Sequence, residues 1–168
     1  MSLRRDGNGL GKTSTRSGLP DVLVDSNILV YAHDPRDRAK QQQARSLLAT
    51  LSSRPGVALS VQCLTEFFSR VIRLPDPMPP ADAFHIVDQF REVFEVLPLT
   101  ERDVLLACAA SAEQRRSIWD TIIWSVAKSN GVVLILTEDL PGQPVIDGVR
   151  YVNPFAADFD LATLSLRA

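Results

Sequence analysis

Val22-Leu23-Val24-Asp25-Ser26-Asn27-Ile28-Leu29-Val30 is the stretch whose reading decides the fold. Three apolar residues form a run short enough for a buried strand. An acid ends the run, two cap-forming residues follow, and an apolar helical segment begins at Ile28. The pattern is that of a strand delivering one carboxylate at the point where a helix starts.

Working outward, the same alternation repeats. Asn27 to Ala32 begins a helix that Pro35 interrupts, and helical character resumes from Arg38 to Leu51 with Ala44, Leu47, Leu48 and Leu51 as its apolar stripe. Pro55-Gly56 punctuates, residues 57–61 read as a second strand, and Leu64, Phe67, Phe68, Val71 and Ile72 line the next helix. Prolines 75, 77, 79 and 80 make a stiff loop before a helix over 81–92, with Phe84, Val87 and Phe90 inward. A third strand spans 93–97. Helices over 101–114 and 118–129 follow, the second closed by Asn130-Gly131. Residues 132–136 form a fourth strand and 149–152 a fifth. Strands alternating with helices imply an α/β fold: a central parallel sheet of about five strands, flanked by helices on both faces.

A chain of 168 residues, 45% hydrophobic and 23% charged, suits one globular domain with a sizeable core. No stretch approaches the roughly 18–20 apolar residues of a membrane span. No apolar block of a secretory signal opens the sequence, which points to the cytoplasm. Residues 1–19 are polar, glycine-rich and without hydrophobic period, and read as a flexible leader to a body spanning 20–168. Within them Gly7 to Thr13 resembles a phosphate-cradling loop, but Asp6 stands where the first glycine is needed and no strand precedes it. Cys63 and Cys108 lack the spacing of a zinc site and read as buried free thiols. The net charge of −2 does not advertise a nucleic-acid binder, although Arg4, Arg5, Lys12 and Arg16 leave the body more acidic than the total.

Ligands of an open parallel sheet bind outside the carboxyl ends of its strands. Asp25 ends the first strand, Glu66 sits early in the helix after the second, Asp120 opens a helix after Trp119, and Asp139 follows the fourth strand. Carboxylates gathered on one edge repel unless a cation neutralises them, and hard oxygen donors suit Mg²⁺ or Mn²⁺. The chemistry inferred is hydrolysis of a phosphodiester. Each acid also has a plainer role: Asp25 as a helix cap, Asp120 as a partner of a helix dipole, Asp139 as a turn residue. Glu138 reads as the outward neighbour of Asp139. Asp76, Asp82, Asp88, Glu92, Asp103 and Glu113 read as solvated, and His33 and His85 as structural or surface residues.

Val24 to Ala32 resembles the opening motif of PIN-domain nucleases; Thr65-Glu66-Phe67, Ile118 to Ile123 and Leu136 to Leu140 resemble their second, third and fourth motifs. Gly148 to Phe155 resembles the close of the VapC-type toxin branch. The resemblance runs from about Pro20 to Phe155, and departs in the leader and at Thr121, where a small alanine is common. It implies a magnesium-dependent endoribonuclease, the toxin of a toxin–antitoxin pair, acting as a homodimer and neutralised by a small cognate antitoxin. It also implies Asp25, Glu66, Asp120 and Asp139 as the metal-holding quartet. Asn27 and Thr137 are placed to orient those carboxylates. Arg36, Arg38, Lys40, Arg70 and Arg73 are candidate RNA phosphate contacts, or simply a solvated charged face. The competing expectation is a catalytically silent PIN-like module that holds metal and a protein partner. A receiver-type phosphotransfer domain fits less well, because Lys128 precedes the fourth strand instead of following a late one.

Overall fold

A computed structural model gives the structure of residues 19–140 and 144–163. The leader expected before Pro20, with its loop-like glycines, lies outside the described residues apart from an exposed Leu19. Among the described residues the strands are β1 (Val22–Val24), β2 (Val57–Ser60), β3 (Glu95–Leu97), β4 (Leu134–Leu136), β5 (Val145–Ile146) and β6 (Val149–Val152). The helices are α1 (Ser26–Tyr31), α2 (Arg38–Ser52), α3 (Val61–Val71), α4 (Pro80–Val93), α5 (Glu101–Gln114) and α6 (Ile118–Ser129), followed by a 3-10 turn over Leu161–Thr163.

The strands make one sheet in the order β3-β2-β1-β4-β6-β5. All neighbours run parallel except β5, which pairs with β6 antiparallel. The sheet is therefore α/β and mostly parallel, as the alternation implies, with one strand more than expected. β5 was hidden by its length of two residues. Asp147 and Gly148 both take positive φ between β5 and β6, the conformation of a two-residue hairpin turn.

Successive crossovers carry the chain from β1 to β2 to β3 at one edge, then back past β1 to β4. Right-handed crossovers put α1–α4 on one face and α5 and α6 on the other. The packing agrees: α1 lies against α2 and α3, α3 against α4, and α5 against α6. The core fills the space between, with β1, Leu59, Ile135, Leu136 and Phe67 fully buried.

Three strand boundaries differ from the expected ones for local reasons. Ser60 caps α3, its hydroxyl accepting from the Cys63 amide, so β2 stops one residue early. Helix α4 runs through Val93 with Phe94 as its C-cap, delaying β3 to Glu95. The Val132 amide donates to Ala127 O, keeping that residue in the turn after α6. Phe84 also departs from expectation. It is exposed, because the inward row of α4 runs through Ala83, Val87 and Phe90. Asp103, expected in solvent, is buried: with Thr100 it forms the capping box of α5. Cys63 is buried as expected and Cys108 is exposed.

Candidate active site

β1 is the point where the direction of strand addition reverses, and Asp25 stands directly at its carboxyl end. The Asp25 amide continues the ladder by donating to Leu136 O at 3.0 Å. Its side chain caps α1, accepting from the Ser26 amide at 2.6 Å. The other carboxylate oxygen accepts from Thr137 Oγ1 at 2.6 Å and from Asn27 Nδ2 at 3.2 Å. Asn27 Nδ2 also donates to Thr137 Oγ1 at 3.0 Å, and the Asp139 amide donates to the same hydroxyl at 3.1 Å. The end of β1 is thus bolted to the loop after β4.

Glu66 is held from two sides. Ser26 Oγ donates to Oε2 at 2.8 Å, and Gln62 Nε2 donates to Oε1 at 2.5 Å. Gln62 also donates to Trp119 O at 3.0 Å, tying the first turn of α3 to the start of α6. Asp120 lies on that first turn, half-buried, with Ser117 as the helix cap. Asp139 is exposed.

Asp25, Glu66, Asp120 and Asp139 all line one cavity of about 350 Å³, together with Ser26, Gln62, Arg70 and Trp119. Burial pushes the Asp25 carboxyl up to about 6; the Thr137 and Ser26 hydrogen bonds oppose the rise, and the charges of Asp139 and Glu66 add to it. Asp120 is raised too, by burial first and then by Asp139 and Glu66, with Arg116 opposing. These side chains feel one another as like charges around a shared space.

Among the described residues no three His, Cys, Asp or Glu side chains are already drawn together as a cation cage. The donor chemistry still fits a hard cation. Mg²⁺ retains several waters and needs only one or two carboxylates directly. Gln62 Oε1 in the cavity wall is buried with no hydrogen-bond partner, an acceptor suited to a hydrated ion.

The cations expected to meet RNA divide sharply. Arg36 is spent on a bidentate pair with Asp34, Nε donating to Oδ1 and Nη2 to Oδ2, and holds that carboxyl below the usual range. Lys40 pairs with Glu138 at 2.6 Å. Arg73 donates to Ser69 O at 2.8 Å. Arg38 is exposed on the first turn of α2, and only Arg70 lines the acidic cavity. Ser26 and Gln62 escaped the sequence reading as site residues. Gln62 had a legible clue, since it stands four residues before Glu66 on one helix and so shares its face.

The other candidates stay away from this chemistry. His33 packs edge-on against Phe67 and Phe90, with Nδ1 2.9 Å from Leu29 O. Burial pushes the Cys63 thiol up to about 12, with the Asp25 charge adding, so it is no nucleophile. No described helix is long and apolar enough to cross a membrane.

A family model described as the PIN domain matches residues 22–140. Among curated proteins, no relative matches the sequence. Several solved structures share the fold. VapC20 of Mycobacterium tuberculosis, a sarcin–ricin loop cleaving toxin, is 20% identical with a TM-score of 0.59, covering 77% of this chain and 98% of its own. DNA-bound VapBC of Salmonella typhimurium is 19% identical with a TM-score of 0.60, covering 81% and 99%. A toxin–antitoxin complex of Klebsiella pneumoniae is 20% identical with a TM-score of 0.54, covering 80% and 98%.

Proposed function

The chain belongs to the PIN-domain family, and from that premise we propose that it is a Mg²⁺-dependent endoribonuclease, the toxin of a type II toxin–antitoxin pair. The observation that carries this reading is the meeting of Asp25, Glu66, Asp120 and Asp139 around one cavity at the carboxyl edge of the sheet. The fold shared with a sarcin–ricin loop cleaving toxin and with a toxin–antitoxin complex supports it.

Asp25, Glu66, Asp120 and Asp139 would hold Mg²⁺ or Mn²⁺ there. When bound, the cation supplies Lewis-acid polarisation of the phosphodiester and activation of water at neutral pH. The chain's own groups supply the geometry. Thr137 and Asn27 fix the Asp25 carboxylate, and Ser26 and Gln62 fix Glu66, so that the oxygens need little reorganisation when substrate arrives. Arg70, at the cavity wall, is positioned to pair with an RNA phosphate. An acidic cavity of this kind also suits neutralisation by a cationic side chain of a cognate antitoxin. The working form is a homodimer in the cytoplasm.

The test is cleavage of several structured RNAs with Mg²⁺ or Mn²⁺. Asp25→Asn is expected to lower the rate about 100-fold or more while leaving the circular-dichroism spectrum unchanged. Wild-type rates in that variant would overturn the mechanism. Metal binding by the wild-type protein without cleavage of any RNA would mark a silent module instead.

A further inference from the structure

A second concavity of about 300 Å³ opens beside the acidic one and is lined by Val61, Thr65, Leu99, Trp119 and Ile122. The two share the wall formed by Gln62, Glu66, Arg70 and Trp119. We propose that this groove is a nucleobase subsite, in which the Trp119 indole stacks on an unpaired base of single-stranded RNA one nucleotide from the phosphate held at the acids. The proposal rests on the ribonuclease reading for the position of that phosphate.

Charge selects the occupant. Glu66 and Arg70 are the charged groups of the lining, and both stand on the shared wall. Apart from the Gln62 amide, the remainder is apolar or hydroxylic, a surface for a neutral planar ring and not for a phosphate. Trp119 is 59% exposed, yet its backbone is fixed: its amide donates to Ser117 Oγ at 3.3 Å and its carbonyl accepts from Gln62. The indole is therefore an open aromatic face on a pinned Cα, one residue before Asp120. Any polynucleotide whose phosphate sits among the acids carries a base within one ribose of it, and Arg70 lies between the two spaces to pair with the linking phosphate. Base stacking on an aromatic side chain is how single strands are ordinarily held. A second copy of this chain is the weaker occupant. A stable dimer buries about 800 Å² per partner, whereas the groove's strongly exposed large apolar side chains are Val61 and Trp119.

The chain's two tryptophans make the test direct, because Trp124 is 4% exposed and donates Nε1–H to Ile146 O. Quenchable emission then reports Trp119. In the Asp25→Asn protein, a single-stranded RNA oligonucleotide is expected to quench that emission, and an abasic ribose-phosphate oligomer of equal charge is not. Trp119→Ala is expected to abolish the quenching and weaken RNA binding on the order of 10-fold to 100-fold, with Trp119→Phe retaining most of the affinity. In the cleaving protein, Trp119→Ala raises KM far more than it lowers kcat. Equal quenching by the abasic oligomer, or unchanged RNA affinity in Trp119→Ala, overturns the subsite. So does a sedimentation result in which Trp119→Ala turns a dimer into a monomer, since a second copy would then fill the groove. Loss of the ribonuclease reading shows itself separately, as cleavage indifferent to Asp25→Asn, while the quenching arm still decides the subsite.

Discussion

Thr137 has one hydroxyl proton and two lone pairs, and all three are committed. It donates to Asp25 and accepts from Asn27 and from the Asp139 amide. The direction of these bonds favours the ionised form of Asp25, but burial and two neighbouring acids outweigh them and leave its carboxyl at about 6 against an ordinary 3.8. The sign for stability follows. Between these values the native state holds the proton longer than the unfolded chain, so raising pH removes stability. In metal-free protein, stability relative to Asp25→Asn is expected to fall by up to about 3 kcal/mol between pH 4 and pH 7. Urea denaturation of both proteins in chelator, repeated across that range, measures it; a flat difference would return Asp25 to an ordinary helix cap. Asp25, Asn27 and Thr137 were legible because their motifs name them. Asp103 was not read correctly, although Thr100 three residues ahead is the capping-box spacing. An acid on a helix reads as solvated until its cap partner is noticed. In the folded protein burial pushes Asp103 up, and its bonds to Ser129 and Thr100 bring it below the usual range.

Helix α2 contributes a strut through Lys40. The ammonium lies 4.5 Å from the Tyr31 ring centroid, 5.4 Å from that of Phe155 and 2.6 Å from Glu138 Oε1. Burial alone would raise the Glu138 carboxyl, but Lys40 and the Tyr31 hydroxyl hold it below its usual range. Glu138 precedes Asp139, so the strut holds the loop after β4 at a second point besides Thr137. Lys40→Met is accordingly expected to weaken Mn²⁺ binding on the order of 10-fold in titration calorimetry, with Lys40→Arg recovering part of it. RNA affinity without divalent metal should hardly change. A reduced salt dependence of RNA binding in Lys40→Met would instead make the lysine a phosphate contact. Lys40 was legible only as a candidate phosphate contact in the segment after the first motif, while its partner came from almost a hundred residues further along the chain. Strand β5 was missed at the same scale. Asp147-Gly148 is a strong hairpin dipeptide, but the strand before it is too short to show a period.

Across the whole molecule, alternation of strand and helix was enough to give a parallel sheet, because buried strands and amphipathic helices differ in period. The position of the acids followed from the rule for sheet edges. The groove beside them was not legible. Its walls come from α3, α6 and Leu99, which sit close only after the chain has crossed both faces of the sheet. The proposed cation, held by residues from four separate segments, would bind the folded chain and not the unfolded one. Mn²⁺ at about 100 times its Kd is therefore expected to add about 2.7 kcal/mol, and to raise Tm by roughly 5–10 °C in a thermal melt. Asp25→Asn should show little of this rise; an equal rise in both proteins would locate the ion elsewhere. The bolt between Asp25 and Thr137 spans 112 positions of sequence and joins the first strand to the fourth. On the ribosome Asp25 is made well before the hydroxyl that orients it, which follows only with Thr137. Until that segment is made the acidic edge cannot assemble, so the proposed site forms no earlier than the loop after β4.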